Sequence, residues 1–369
     1  MIIMFTITYG NSIYDINCSF MIYFIDTLKK SFNERGIFSA MAKPRTDIIT
    51  TFLSFPKTKL VTVTSRVKEN PNVLARFLNN ISMLIESKMK CSKIVHSDVV
   101  VQYPFTDGIM IPILKSLTGG GNRIHVVIHD IETIRQNRTI ERDKFIFDIA
   151  DTLIVHTPQM ETAIRGMGYQ GRIECLKYFD YLGNWNMPVR KIDKENQVVF
   201  AGNLKKSKFI PLLNEIVVNK DFSIFLYGKP EISNIKEFVE YKGFFRADDI
   251  TGLEGNWGLV WDGDSIETCS GELGDYLKYN APFKLSLYLA AGMPVIVWKQ
   301  SAMAQYVDKY HLGLCVDSLH DIHSSTCNLS ESEKKEIEHG VQIYSEKVRT
   351  GQMFKEVINR LFFNENPTN

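Results

Sequence analysis

The stretch from Gly258 to Trp298 decides the fold, and it reads GLVWDGDSIETCSGELGDYLKYNAPFKLSLYLAAGMPVIVW. It begins with a short apolar run that stops at a Trp-Asp-Gly turn signal, and it closes with a second apolar run from Val295. Between these runs the pattern predicts a helix, with Asn280 as its N-cap and Gly292 at its end. A strand, a polar loop, a helix and a strand in this order are typical of a parallel α/β sheet.

Groups that bind anions are concentrated where this predicted helix begins. A helix N-terminus leaves backbone N–H groups unpaired and carries the positive end of the helix dipole, so it attracts phosphate. Lys278 and Lys284 flank that end, with Tyr279 and Asn280 between them. We therefore expect a phosphate site here. An ordinary strand–helix unit with solvated lysines is the plainer alternative.

Further segments extend this pattern toward the N-terminus: IHDIETIR (128–135), ADTLIVHTPQM (150–160), FDYL (179–182) and VVFAGNLKKSKFI (198–210). Together with the stretch above, and in the expected order, they resemble a family of bacterial glycosyltransferases. That family includes β-1,6-galactofuranosyltransferases of O-antigen assembly and glucosyltransferases that extend N-acetylglucosamine on serine-rich adhesins. The resemblance covers residues 124–307 and is weak near the N-terminus, in the half where acceptor choice would lie.

The resemblance implies a GT-B fold, in which two Rossmann-like, doubly wound α/β domains face each other across a cleft. The alternation of expected strands and helices along the chain agrees with this arrangement. We assign residues 1–180 to an acceptor domain, 181–196 to a linker, 197–345 to a nucleotide-sugar-binding domain and 346–369 to a helical tail. The donor substrate implied is a UDP-sugar, and no cofactor is expected.

Length and composition restrict the class of protein. A chain of 369 residues suits two domains that each bury a core, and a net charge of +1 gives no general attraction to nucleic acid. The six cysteines are scattered without a CxxC pair, which favours reduced thiols over a zinc site. The apolar start, Met1 to Thr8, lacks a basic flank and predicts a first strand. We expect a cytoplasmic protein, with peripheral contact at the inner face of the membrane as a further expectation.

Helices are expected at several places outside the opening stretch. One runs from a polar loop ending at Asn17 to about Arg35. Ser330 and Glu333 form a capping box for another near the C-terminus. A third is expected over residues 73–90, where apolar side chains repeat with the helical period. That stripe consists of Val73, Phe77, Leu78, Ile81, Leu84 and Ile85.

Candidate donor-binding residues follow the strands of the second half, because ligands of parallel sheets bind beyond the carboxyl ends of the strands. The resemblance makes Gly202, Asn203 and Lys206 donor-site residues in the loop after one strand, with a plain turn and exposed lysines as the alternative. Tyr227 ends the next strand, where its ring either stacks on uracil or lines the rim of the core. Asp262 ends the third strand.

One position departs from the wider GT-B pattern. Many such enzymes carry a glutamate before the turn of the A-x-G-x-P-V type, where it binds the donor ribose, and this chain has Leu287 in roughly that place. Tyr279 likewise stands where an earlier glutamate is common. Donor binding must then use other groups, namely Asn280, Lys284 and the loop of Lys206.

The acceptor side needs a base if the transfer inverts, because the attacking hydroxyl must lose its proton. His129 and Asp130 follow an expected strand, with Arg135 shortly after them, at the edge that should face the cleft. Asp15, in the first strand-to-helix loop, is a further candidate. The plainer alternative makes Asp130 a turn cap and His129 a satisfied polar residue, and these residues alone do not decide between the two.

A metal site is not expected, although Asp262-Gly263-Asp264 has the letters of an Asp-x-Asp motif. Its surroundings match the Trp-Asp-Gly turn of the resembled family, so we interpret it as a turn. Lysines and a helix N-terminus can neutralise a leaving diphosphate without a metal ion.

The sequence therefore favours transfer of a hexose, with galactofuranose preferred, from a UDP-sugar to a glycan or lipid-linked oligosaccharide in polysaccharide assembly. The nearest alternative transfers glucose from UDP-glucose to a protein-linked N-acetylglucosamine. A UDP-sugar epimerase and a catalytically silent nucleotide-sugar-binding partner subunit are two others. Basic residues recur in the first half and are compatible with a membrane surface, although scattered surface lysines explain them more simply. A homo-oligomer is also compatible with the sequence.

Overall fold

Two parallel six-stranded sheets, each flanked by helices, form the two Rossmann-like domains that were expected. The computed structural model describes residues 8–9, 12–13, 21–29, 42–65, 72–105, 108–135, 140–193, 196–216, 222–229 and 239–363. An antiparallel pair of two-residue strands, β1 (Thr8–Tyr9) and β2 (Ser12–Ile13), precedes the first sheet.

The first sheet has the strand order β4-β3-β5-β6-β7-β8, and all its neighbouring strands are parallel. Its strands are β3 (Ile22–Lys29), β4 (Thr58–Ser65), β5 (Asp98–Tyr103), β6 (Arg123–Ile128), β7 (Thr152–Val155) and β8 (Arg172–Cys175). The central strand β5 is buried along its whole length, as expected for a parallel sheet covered on both faces. The order of the sheet reverses between β3 and β5, so a crevice opens at the carboxyl ends of these strands.

The second sheet has the order β11-β10-β9-β12-β13-β14, again with parallel neighbours. Its strands are β9 (Asn196–Asn203), β10 (Phe222–Lys229), β11 (Val239–Gly243), β12 (Trp257–Val260), β13 (Val295–Trp298) and β14 (Gly313–Val316). Counted from β9, this is the order 3-2-1-4-5-6 of dinucleotide-binding domains, and its switch point lies between β9 and β12.

Helices connect the strands and close the chain. They are α1 (Ala42–Leu53), α2 (Val73–Cys91), α3 (Met110–Gly119), α4 (Glu132–Arg135), α5 (Glu141–Ile149), α6 (Pro158–Gly166), α7 (Glu272–Tyr276), α8 (Phe283–Ala290), α9 (Ala304–Lys309), α10 (Ile322–Cys327), α11 (Glu331–Thr350) and α12 (Gln352–Ile358). The capping box of Ser330 and Glu333 forms at the start of α11, as predicted. Among the described residues, no helix combines the length and apolarity needed to cross a membrane.

The helix predicted from Asn17 to about Arg35 is wrong over residues 22–29, which form strand β3. The run Ile22-Tyr23-Phe24-Ile25 is rich in β-branched and aromatic residues, and β3 pairs with both β4 and β5. This pairing in the centre of the sheet outweighs the local helical pattern. Most of the predicted first strand, Met1 to Thr8, and the candidate Asp15 lie outside the described residues.

The start of α8 also differs from the prediction. Asn280 is not its N-cap, because the Asn280 backbone N–H still bonds to the Tyr276 carbonyl (3.2 Å), and the helix begins three residues later with Pro282 at the cap position. Its predicted end is confirmed. Gly292 has a φ of +71°, and the N–H groups of Gly292 and Met293 bond back to Leu289 and Tyr288 (2.9 Å each), which is a Schellman motif.

Helix α2 forms where predicted, but its apolar stripe faces solvent. The side chains that α2 buries are Met83, Ser87 and Cys91, one turn apart on a different face. Val73 is 85% exposed and Phe77 is 60% exposed. The sequence pattern therefore predicts the helix correctly and does not show which of its faces is buried.

Residues 176–193, which follow β8, contain neither strand nor helix. Polar contacts fix this segment to other parts of the chain. The carboxylate of Asp180 accepts the backbone N–H groups of Met353 (3.0 Å) and Phe354 (2.9 Å), at the start of α12. Helix α12 packs against α1, so the C-terminal end of the chain returns to the first domain.

Candidate functional site

A cavity of about 700 Å³ lies between the two domains, a volume typical of ligand sites. In the first domain its walls come from α1 and from segments that follow β5, β6 and β8. In the second domain they come from the ends of β9 and β10, from segments that follow β11 and β12, and from α8. Both switch points of strand order therefore open toward the same space. The polar groups of the cavity fall on two walls, one from each domain.

The wall from the second domain holds a lysine at the switch point. Lys284, in the first turn of α8, forms an ion pair with Asp262 and donates to the Trp261 carbonyl (3.2 Å). Its ammonium also lies 4.7 Å from the centroid of the Phe200 ring. Gly202 and Asn203, at the end of β9, line the same wall. This wall combines a fixed cation with a helix N-terminus, and both attract phosphate.

Aromatic side chains at the ends of β10 and β11 continue this wall. Tyr227 is 4% exposed, its hydroxyl accepts the Glu254 N–H (3.0 Å), and Phe245 packs edge-on against its ring. Phe244 is largely exposed, and the Lys229 ammonium lies 4.1 Å from the centroid of its ring. The ring of Phe244 is therefore the more accessible surface for a flat ligand.

Gly228 permits this wall to form. Its φ is +144°, and a Cβ atom there would lie 1.9 Å from the Gly202 carbonyl oxygen. Only glycine fits this approach between the ends of β9 and β10.

The wall from the first domain holds an aspartate with a raised pKa. Burial raises the pKa of Asp130 to about 6, against the opposing effects of Arg135, Arg45 and a hydrogen bond from Tyr276. Arg135 forms an ion pair with the Asp130 carboxylate. The Tyr276 hydroxyl, which comes from the second domain, also accepts the Ile131 N–H (2.9 Å). The cavity is thus lined by a carboxylate that takes or releases a proton near neutral pH.

His129 lies beside it as a neutral imidazole. Burial, with Arg45 nearby, lowers the pKa of His129 well below its ordinary range. Its Nε2 lies 2.7 Å from Gln102 Oε1, and the Gln102 amide nitrogen donates to the Arg45 carbonyl (3.2 Å). Because Gln102 offers an acceptor, Nε2 carries the proton and Nδ1 is left as the acceptor. The ring stacks on Phe179 with centroids 4.9 Å apart.

Arg45 is a cavity residue that sequence reasoning missed, since it was grouped with basic residues of the surface. It lies on α1, lines the cavity, and donates to the Pro104 carbonyl. Burial lowers the pKa of Arg45, while Asp26 and Asp130 raise it. Helix α1 lies where the family resemblance is weak. No local signal separates this arginine from its basic neighbours.

Contacts across the cleft hold the two walls together. The Thr157 hydroxyl donates to the Tyr279 carbonyl, and the Ser286 hydroxyl donates to the Phe179 carbonyl (2.6 Å). The Ala281 N–H donates to His156 Nδ1 (3.3 Å), and burial lowers the pKa of His156 to about 3. His156 is therefore a neutral acceptor that joins the domains, and it does not line the cavity.

The structure brings most of the predicted site residues together in this cavity. Those that line it are His129, Asp130, Arg135, Gly202, Asn203, Tyr227, Asp262, Asn280 and Lys284. Leu287, at the position where related enzymes carry a glutamate, lines it as well. The side-chain oxygen of Asn280 is buried and has no hydrogen-bond partner among the described residues, so it is available to a ligand.

Lys206, Lys278 and Tyr279 do not line the cavity. The Lys278 ammonium pairs with Asp275 (2.7 Å) and lies over the Trp298 ring. Lys206 is exposed in the turn after β9. Tyr279 contributes its carbonyl to the contact with Thr157. A donor-binding role for these three stays a prediction.

Lysines pair with both carboxylates of the Asp-x-Asp sequence. Asp262 pairs with Lys284, and Asp264 pairs with Lys208 (2.7 Å). Within the part of the chain that the structure describes, no group of three or more His, Cys, Asp or Glu side chains is placed to hold a metal ion.

Two family models match the chain: the N-terminal domain of glucosyltransferase 3-like proteins over residues 30–177, and their C-terminal domain over residues 198–361. The chain belongs to the glucosyltransferase 3-like family. This confirms the resemblance inferred from the sequence, and the protein is a glycosyltransferase.

Curated relatives of this glucosyltransferase 3-like protein include the beta-1,6-galactofuranosyltransferase WbbI of Escherichia coli (strain K12). The two are 34% identical over 245 residues, which span 65% of this chain and 71% of the relative. Glucosyltransferase 3 of Streptococcus gordonii is 26% identical over 217 residues, which span 58% of this chain and 62% of the relative.

Solved structures agree with the fold of this glucosyltransferase 3-like protein. An alpha,alpha-trehalose-phosphate synthase (UDP-forming) from Burkholderia vietnamiensis matches with a TM-score of 0.55 and 9% identity, over 93% of this chain and 98% of that one. The enzyme of the same name from Burkholderia xenovorans matches with a TM-score of 0.53 and 10% identity, over 92% and 99%. At these identities the likeness concerns the fold alone, and it supports the GT-B arrangement.

Proposed function

We propose that this glucosyltransferase 3-like protein transfers galactofuranose from UDP-galactofuranose to a hydroxyl group of a glycan or a lipid-linked oligosaccharide, as a step in the assembly of an O-antigen or a related polysaccharide. The 34% identity with a galactofuranosyltransferase over 245 residues carries the proposal. The cavity supports it, because one wall suits an anionic nucleotide and the other offers acid–base groups.

The donor is proposed to bind the wall of the second domain. Lys284 and the N-terminus of α8 would neutralise the diphosphate, and no metal ion is needed for that role. The exposed ring of Phe244 would stack on the uracil. The side-chain oxygen of Asn280 would accept a hydrogen bond from a sugar hydroxyl.

The acceptor is proposed to bind the wall of the first domain, with Asp130 as the base of an inverting transfer. The acceptor hydroxyl attacks the anomeric carbon and gives its proton to Asp130, while the bond from that carbon to the diphosphate breaks and UDP leaves. Neutral His129 accepts a hydrogen bond through Nδ1, which would orient a sugar hydroxyl. Arg45 and Arg135 would hold an anionic group of the acceptor.

Thermal stabilisation of the purified protein tests the donor assignment. We expect UDP to raise the melting temperature in the presence of EDTA, because a ligand that binds only the folded state stabilises it. Among UDP-glucose, UDP-galactose and UDP-galactofuranose, the largest rise is expected for UDP-galactofuranose. No shift with any uridine compound would overturn the proposed donor site.

Lys284→Ala is expected to weaken UDP binding about tenfold to a hundredfold, because a charge-assisted hydrogen bond contributes about 1.5–3 kcal/mol. Isothermal titration with UDP measures the loss. Lys299→Ala is the control, since Lys299 belongs to the same domain but pairs with Asp317 (3.1 Å) outside the cavity. Equal affinities for the wild-type protein and both variants would place the diphosphate elsewhere.

A second candidate is transfer of glucose from UDP-glucose to a protein-linked N-acetylglucosamine. The 26% identity with glucosyltransferase 3 of Streptococcus gordonii favours it. The same melting series separates the two, because UDP-glucose would then give the largest rise. The cavity walls would keep their roles, and only the sugar and the acceptor would change.

A further inference from the structure

Helix α2 carries an extended apolar surface that is open to solvent. Eight apolar side chains form this surface, and each of them is between 39% and 85% exposed. They are Val73, Leu74, Phe77, Leu78, Ile81, Leu84, Ile85 and Met89. They repeat at helical spacing and form one stripe along most of the helix. Such a contiguous apolar surface marks an interaction site, because isolated apolar residues of a protein surface do not align in this way.

The stripe is not an unpacked core face. Helix α2 already packs on β4 and α3, and the residues it buries there are Met83, Ser87 and Cys91. The Asn79 amide reaches the Ser65 hydroxyl (3.3 Å) from the same inner side. The helix therefore has its intramolecular partner on one face and presents the more apolar face outward.

The position of the helix relates this surface to the cleft. Strand β4 ends at Ser65, and α2 begins at Val73, so the N-terminal half of the helix lies toward the carboxyl edge of the first sheet. His129 and Asp130 follow β6 at that same edge. The most exposed residue of the stripe, Val73, is thus on the side of the domain where the cavity opens.

Charge favours one kind of partner. Residues 73–93 contain four cations, Arg76, Lys88, Lys90 and Lys93, and one carboxylate, Glu86. Glu86 is already paired with Lys90 (2.7 Å). Lys88 lies within the apolar stripe, one turn after Leu84. A second copy of this helix would bring cations against cations, whereas an anionic surface complements both the stripe and its charge.

We propose that α2 docks this protein on an anionic lipid bilayer. The apolar stripe would lie at the boundary of headgroups and acyl chains, and Lys88 would extend its ammonium to the lipid phosphates. The proposal is independent of which sugar is transferred. Docked in this way, the N-terminal half of α2 would bring the carboxyl edge of the first sheet toward the bilayer, where a lipid-linked acceptor is anchored.

Sedimentation with lipid vesicles tests this surface in the full-length protein. We expect the protein to sediment with vesicles of equal parts phosphatidylcholine and phosphatidylglycerol, and much less with phosphatidylcholine alone. Phe77→Asp is expected to weaken binding about tenfold to a hundredfold, because the aromatic side chain that would be buried in the bilayer is replaced by a charged one. Lys88→Glu is expected to weaken binding to the anionic vesicles, and added salt should lower wild-type binding.

The controls are Ile343→Asp and Lys335→Glu, exposed residues of α11 in the second half of the chain, which should bind as the wild type does. UDP-induced stabilisation shows that every variant is folded. A wild-type protein that stays in the supernatant would overturn the proposal, as would binding that Phe77→Asp and Lys88→Glu leave unchanged. A mass in solution that rises with concentration and falls in Phe77→Asp, without vesicle binding, would assign the surface to a second copy instead.

Discussion

Asp130→Asn is expected to lower turnover by about 10²- to 10⁴-fold and to leave UDP affinity unchanged, because a positioned base accelerates a reaction by that amount. Asparagine has nearly the same shape and keeps an oxygen for the Arg135 and Tyr276 hydrogen bonds, but it cannot take a proton. Asp130 lies on the wall opposite Lys284, so the diphosphate contacts do not depend on it. Turnover in single-donor assays and titration with UDP measure the two effects separately.

The pH profile supplies an independent measurement of the same residue. Burial raises the pKa of Asp130 from its ordinary 3.8 to about 6, so kcat/KM of the wild-type enzyme should rise with pH through about 6. The effect of pH on folding stability has the opposite sign to its effect on kcat/KM. Since the folded-state pKa is raised, the contribution of Asp130 to folding is greatest at low pH and is lost as pH rises through about 6.

Asp264→Asn is the control, because Asp264 is also an ion-paired aspartate but pairs with Lys208 outside the cavity. It should keep both the turnover and the pH profile of the wild type. A full rate in Asp130→Asn, with the rise near pH 6 still present, would remove Asp130 as the base and leave His129 or a residue outside the described part of the chain.

Local sequence signals predicted much of the fold, and the failures have a common cause. Strands β12 and β13 and the end of α8 at Gly292 were predicted because apolar runs, glycine and proline act locally. Strand β3 was missed because its identity depends on pairing with β4 and β5, which are far along the chain. The outward face of α2 was missed for the same reason, since periodicity fixes a stripe but not its partner.

The site residues likewise divide into those that local sequence signals predict and those that they do not. Asp130 was predicted because it follows a strand, and Lys284 because it lies at a helix N-terminus, and both line the cavity. Arg45 was not found, because a helix brings it to the cavity from a segment without a motif. Lys206 was assigned to the donor site by the family resemblance and Lys278 as a flank of the predicted helix N-terminus, and neither lines the cavity.

A buried ion pair holds Arg45's helix to the segment between the domains. The Lys43 ammonium contacts the Asp47 carboxylate (2.8 Å) and donates to the Leu182 carbonyl (2.8 Å), and Asp47 accepts the Leu182 N–H (2.9 Å). Both side chains are 7% exposed, and the ammonium lies 4.6 Å from the centroid of the Tyr181 ring. Burial raises the pKa of Asp47 even beside this lysine. The position of α1, and with it Arg45, therefore depends on both Lys43 and Asp47, because either charge alone would be buried without its counter-charge.

Asp47→Ala is expected to destabilise the protein by about 3–5 kcal/mol, because it leaves the Lys43 ammonium buried without its counter-charge. The midpoint of the first unfolding transition in urea measures the loss. The double variant Lys43→Met/Asp47→Leu is the control, since replacing both charges with apolar side chains removes the unpaired ion and should restore most of the stability. Equal stability of the single and double variants would show that the lost hydrogen bonds to Leu182 matter more than the charge. In either variant, UDP affinity should persist, because the diphosphate wall belongs to the other domain.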